Sequence, residues 1–99
     1  MHVFSRPILR EFCKRHGDSC TALFAWYRVA SKARWSNLTE VQSVYVKAEA
    51  VGGFTVFNIK GNQYRLITAI DYAKQCIYIK YVLTHAEYDK DEWKNDSYY

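Results

Sequence analysis

The fold turns on the stretch Phe54-Thr-Val-Phe-Asn-Ile-Lys60, Gly61-Asn62, Gln63-Tyr-Arg-Leu-Ile-Thr-Ala-Ile-Asp-Tyr72. Apolar and polar residues alternate on both sides of a Gly-first pair, the pattern of an antiparallel hairpin closed by a two-residue type II′ turn. That turn sets Lys60 opposite Gln63, Ile59 opposite Tyr64, Asn58 opposite Arg65, Phe57 opposite Leu66 and Val56 opposite Ile67. Two faces follow. Phe57, Ile59, Tyr64, Leu66 and Ile70 suit a core, whereas Asn58, Lys60, Gln63 and Arg65 make a polar, open face.

Downstream, Cys76–Leu83 reads as a third strand after a short turn around Lys74-Gln75. Its expected pairing sets Ile70 opposite Ile79, Leu66 opposite Leu83 and Arg65 opposite Thr84. Ile77, Ile79 and Leu83 then extend the core face, and Tyr78, Lys80 and Val82 join Arg65. Thr84-His85-Ala86-Glu87 has the form of a capping box, so a short helix starts there with His85, Tyr88 and Asp89 on one side. Strand register and helix start together bring His85 and Tyr88 beside Arg65.

Upstream the period is helical. Ser5 can cap a first helix with Pro7 in its first turn, and Ile8, Leu9, Phe12 and Cys13 share one face to an end near Gly17. Asp18 or Ser19 caps a second, in which Ala22, Leu23, Trp26, Tyr27, Ala30 and Ala33 recur to about Arg34, with Arg28, Lys32 and Arg34 on the opposite face. Asn37 and Glu40 resemble a capping box for a short helix through Val44, and Gly52-Gly53 closes a loop before the hairpin. The expectation is one α+β domain over residues 1–99: N-terminal helices on a small, mostly antiparallel sheet, a short C-terminal helix, and an acidic, aromatic tail from about residue 91.

Composition narrows the function. The chain has 99 residues, 49% hydrophobic and 24% charged, the balance of an ordinary globular domain. No apolar run reaches the roughly 18–20 residues of a membrane span, and charges interrupt the first 18 residues where a signal peptide would be apolar, so a cytoplasmic protein is expected. Cys13, Cys20 and Cys76 form no C-x-x-C pair and read as three free, mostly buried thiols, and the three histidines lack metal-binding spacing. No metal or other cofactor is expected. Net charge is +4, but twelve Lys and Arg against five acids give residues 1–86 a surplus of seven, while the tail from Glu87 carries two bases against five acids. A basic body rich in Tyr and Trp suits single-stranded RNA.

Cleavage of RNA by side chains alone needs a base for the ribose 2′-hydroxyl, a cation for the charge developing on phosphorus, and an acid for the leaving 5′-oxygen. His85 suits either proton role, and Arg65 suits the cationic one because guanidinium matches phosphate oxygens bidentately. A non-catalytic RNA- or ribosome-binding module would keep the basic face and tolerate loss of His85.

The run Val56-Phe-Asn-Ile-Lys-Gly-Asn-Gln-Tyr-Arg-Leu-Ile67, followed by Tyr78-Ile-Lys80 and Thr84-His-Ala-Glu-Tyr-Asp-Lys90, resembles the HigB toxin family of the RelE superfamily. Leu9-Arg-Glu-Phe12, Ala25-Trp-Tyr27 and Ala33-Arg-Trp35 extend the likeness more weakly. The resemblance implies the microbial RNase fold and ribosome-dependent cleavage of translated mRNA. It also implies restraint by a HigA-type helix-turn-helix antitoxin encoded beside it, operator DNA being contacted only through that antitoxin. By the same motif it implies Arg65, His85 and Tyr88 as the catalytic residues. Asn58, Lys60, Lys80, Asp89 and Lys90 are the candidates for holding the RNA.

Overall fold

A computed structural model describes residues 1–99. The decisive hairpin is β3 (Phe54–Ile59) and β4 (Tyr64–Asp71), paired Ile59 to Tyr64, Asn58 to Arg65, Phe57 to Leu66 and Val56 to Ile67, as the alternation predicts. Its turn is wider than expected. The ladder stops at Ile59 and Tyr64, and both Lys60 and Gly61 take left-handed φ values of 53° and 64°, so the loop is Lys60–Gln63. Opening one residue on each side leaves the register unchanged but redirects Lys60.

The third strand, β5 (Cys76–Thr84), runs antiparallel to β4 in a register that corrects the expected one. Arg65 faces Leu83, Leu66 faces Val82 and Ile70 faces Ile77. The turn occupies Tyr72–Gln75, with Gln75 at φ 56°, which slides β5 by two residues. A bulge then returns one of them: Ile67 pairs with Tyr81 and Thr68 with Ile79, leaving Lys80 as the extra residue. A slide of two keeps Ile77 and Ile79 on the core face; a net slide of one exchanges Val82 and Leu83. Val82 is buried under the helices and Leu83 joins the face of Arg65.

Two short edge strands complete the sheet in the order β1-β5-β4-β3-β2. Here β1 (His2–Phe4) pairs parallel to β5, and β2 (Glu49–Val51) pairs antiparallel to β3. Three residues are too few to show a period, which is why the sequence read them as an apolar start and a loop.

Helices α1 (Arg6–Arg15), α2 (Cys20–Lys32) and α3 (Leu38–Val44) precede the hairpin. Leu9, Phe12, Leu23, Trp26 and Ala30 pack with Phe57, Ile59, Leu66, Ile77, Ile79 and Val82 in the main core; each large side chain so buried contributes about 1.5–3 kcal/mol. Asn37 caps α3 by accepting from Glu40 N–H at 3.0 Å, while Glu40 accepts from Ser36 N–H rather than from the cap residue. The other two caps differ from expectation. Ser5 has φ 72° and makes no side-chain cap, and Ser19 ends a 3₁₀ turn (Gly17–Ser19), its hydroxyl donating to His16 O at 2.7 Å. That turn also brings the Cα atoms of Cys13 and Cys20 to 5.0 Å, within bridging range, and the two form a disulfide; Cys76 alone is free, and none of the three is fully buried.

The opposite face of the sheet is not open. Phe54, Val56 and Ile67 form a second, smaller core with Trp93, which a 3₁₀ turn (Glu92–Asn95) in the acidic tail lays across the strands. Tyr81 donates to Asp96 at 2.6 Å and fastens the tail further along.

Candidate active site

Arg65 projects from β4 into the second face and is only 9% exposed. Its guanidinium donates to the carbonyls of Asn62 at 3.0 Å and Tyr64 at 3.2 Å, and its other terminal nitrogen lies 3.4 Å from His85 Nδ1. It forms no ion pair with any carboxylate. A nearly buried cation with no carboxylate partner is costly, and an incoming anion offsets that cost.

Helix α4 (His85–Asp89) starts where the capping box predicts. Thr84 Oγ1 accepts from Glu87 N–H at 3.2 Å and the Glu87 carboxylate accepts from Thr84 N–H at 2.9 Å. The Thr84 N–H holds the Glu87 carboxyl below its ordinary pKa, and the Thr84 hydroxyl, Arg15 and His16 act in the same direction against the opposing effect of desolvation. His85 N–H then donates to Gln63 O at 3.0 Å, tying the helix start to the hairpin turn.

That tie sets the imidazole beside Arg65. Nδ1 lies 3.0 Å from Asn62 O, and Nε2 lies 3.1 Å from the Asp89 carboxylate. Nδ1 thus faces both an oxygen acceptor and an Arg65 N–H donor, while Nε2 faces a carboxylate oxygen. Asp89 orients His85.

Tyr88 is half-buried. The Arg65 guanidinium carbon lies 5.3 Å from the centre of its ring, and Trp93 stacks on it at 5.1 Å with 15° between planes. Burial raises the Tyr88 pKa, the Glu49 and Asp91 carboxylates act with it, and Arg65 and Lys94 oppose. The hydroxyl is a neutral donor at physiological pH.

The structure therefore brings together Arg65, His85, Tyr88 and Asp89, with Asn58 alongside as the cross-strand partner of Arg65. It separates the expected lysines. Lys60, redirected by its left-handed backbone, pairs with Asp18 at 2.9 Å on the helical side, where Tyr64 also donates to Asp18 at 2.6 Å. Tyr64 first, then Lys60, lowers the Asp18 pKa. Lys80 lies 3.7 Å from Asp96 and 4.5 Å from the centre of the Tyr98 ring. Lys90 closes α4 through its backbone and makes no ion pair. Two participants escaped the sequence reading: the Asn62 carbonyl, a backbone group with no side-chain signature, and Trp93, one of three aromatics in an aperiodic tail.

Residues 19–91 match the family model of HigB toxin, the RelE-like toxic component of a toxin–antitoxin system. The chain belongs to the HigB toxin family. It is 26% identical over 93 residues to the mRNA interferase HigB of Escherichia coli O6:H1 (strain CFT073), covering 91% of this chain and 90% of that protein. It is 25% identical over 92 residues to the mRNA interferase toxin HigB of Escherichia coli K12, covering 90% and 88%. Membership implies an antitoxin partner for this HigB-family chain. No helix of it is long and apolar enough to cross a membrane.

Proposed function

We propose that this toxin is an endoribonuclease that cuts mRNA during translation, with Arg65, His85 and Tyr88 as its catalytic residues. One observation carries the reading: Arg65 is nearly buried, has no carboxylate partner and touches the His85 imidazole, so a scissile phosphate bound there meets a cation and a proton donor together. The relatives named mRNA interferases supply the substrate class.

In this reading the ribose 2′-oxygen attacks the adjacent phosphorus, the bond to the 5′-oxygen breaks, and a 2′,3′-cyclic phosphate and a 5′-hydroxyl result. Arg65 takes the charge on the non-bridging oxygens, and the Tyr88 hydroxyl donates to one of them. His85, oriented by Asp89, gives its proton to the departing 5′-oxygen, while the 2′-hydroxyl proton passes to solvent. Asn58 and Lys90 are the remaining candidates for holding the strand. The mRNA is presented by the ribosome, which makes the cytoplasm the site of action. The antitoxin is a HigA-like helix-turn-helix protein, and operator DNA is met only through it.

His85→Gln tests the assignment. Single-turnover cleavage of translated mRNA, located by primer extension, should fall roughly 10²–10⁴-fold with ribosome affinity nearly unchanged. An unchanged rate from a folded variant would favour a non-catalytic ribosome-binding module, and efficient cutting of naked RNA would remove the ribosome from the reading.

A further inference from the structure

We infer that Trp93 is a positioning residue of this active site, fixing Tyr88 and, through it, Arg65; the inference rests on the reading of Arg65, His85 and Tyr88 as the catalytic cluster. Trp93 lies beyond the residues 19–91 that match the family model. It is nevertheless 4% exposed and wedged against Phe54, Val56 and Ile67 on the sheet.

Its grip on Tyr88 is double. The rings stack with centres 5.1 Å apart and 15° between planes, and the indole N–H donates to the Tyr88 carbonyl at 3.0 Å. One contact holds the side chain and the other the backbone, so rotamer and main chain are restrained together. Tyr99 meets the same indole edge-on at 5.6 Å, fixing Trp93 from another side.

Tyr88 needs this support. Helix α4 has five residues, far fewer than an isolated helix needs to persist in water, and none of them is buried. The aromatic stack links its Tyr to the sheet, and the Tyr88 ring in turn lies 5.3 Å from the Arg65 guanidinium carbon. Displacing a catalytic group by about 1 Å can cost 10²-fold in rate, so a residue that touches no substrate can still govern turnover.

The test uses full-length toxin and single-turnover cleavage of translated mRNA, with ribosome affinity and thermal midpoint measured on each preparation. Trp93→Leu should lower the cleavage rate by about 10- to 100-fold at unchanged ribosome affinity. Trp93→Phe, which keeps an aromatic ring but loses the bond to the Tyr88 carbonyl, should recover most of that loss. In a Tyr88→Ala background either Trp93 substitution should cost almost nothing more, because the position it fixes is gone. A wild-type rate for folded Trp93→Leu, or losses that multiply in the double variant, would overturn the inference. If Trp93→Leu does not fold, the cycle with Trp93→Met, which removes the ring and the indole N–H while filling much of the space, decides, and an equal loss in both backgrounds would overturn the inference. Arg65→Ala serves as the control: full cleavage by that variant means that the catalytic reading itself has failed, whatever Trp93 does.

Discussion

In the proposed mechanism Arg65 concentrates the chemistry, because its charge is nearly buried without a carboxylate. Arg65→Ala removes that charge together with its hold on the Asn62 and Tyr64 carbonyls. Cleavage should fall about 10²–10³-fold, the usual cost of deleting one donor to a transition-state anion. The thermal midpoint should move little, since loss of a costly buried cation offsets loss of two hydrogen bonds. Rate and midpoint measured together check this, and a folded variant with normal turnover would refute it. The meeting of Arg65, His85 and Tyr88 was legible in the sequence although the predicted β5 register was wrong. The reason is local: with Thr84 opposite Tyr64 instead of Arg65, the next N–H, that of His85, still reaches Gln63 in the hairpin turn. Lys60 and Lys80 were not legible in this way. A left-handed backbone turns one toward Asp18, and the bulge leaves the other beside Asp96.

The capping box of α4 joins local sequence to the geometry of the site. Its Glu87 carboxyl has a pKa below the ordinary 4.5 in the folded protein. Because the folded value is the lower one, the stabilisation is full above the unfolded pKa and disappears as pH falls through the folded one. Replacing Glu87 by Gln removes that titration, so the gap in thermal midpoint between wild type and Glu87→Gln should be widest near neutrality and narrow as pH falls below the ordinary value of 4.5 and through the lower folded one. The gap should correspond to about 1 kcal/mol or less, the scale of one helix cap. Subtracting the variant's profile removes the parallel contributions of Asp18 and Asp96, whose carboxyls are also held low. A gap independent of pH would show that the Glu87 charge does not hold the helix start. Elements with such paired local signals, the α4 and α3 starts and the hairpin, were predictable. The edge strands and the bulge were not, since pairing with β5 and β3, and the offset between turn and ladder, exist only in the assembled sheet.

Across the whole molecule, charge separates the surface proposed to meet the ribosome from the one proposed to do the chemistry. The acidic tail folds back on its own sheet, where Asp96 engages Lys80 and the aromatic side chains of Tyr81, Tyr88 and Trp93 pack in the second core. The exposed cations Arg28, Lys32 and Arg34, on and just after α2, form no ion pair and remain free for phosphates. Ribosome binding by free toxin should therefore weaken steeply as salt rises, since each phosphate neutralised releases condensed counterions. Replacing all three residues by Ala should flatten the plot of log affinity against log salt by roughly two, at about 0.7 per contact to single-stranded RNA. Cleavage after binding should be unaffected, because none of the three touches Arg65, His85 or Tyr88 through a hydrogen bond or ion pair. Titrations at several salt concentrations, paired with single-turnover rates at saturating ribosomes, separate the two quantities. An unchanged slope would move the ribosome-binding surface elsewhere on the basic body, and a lowered saturated rate would mean that α2 acts on catalysis as well as on capture.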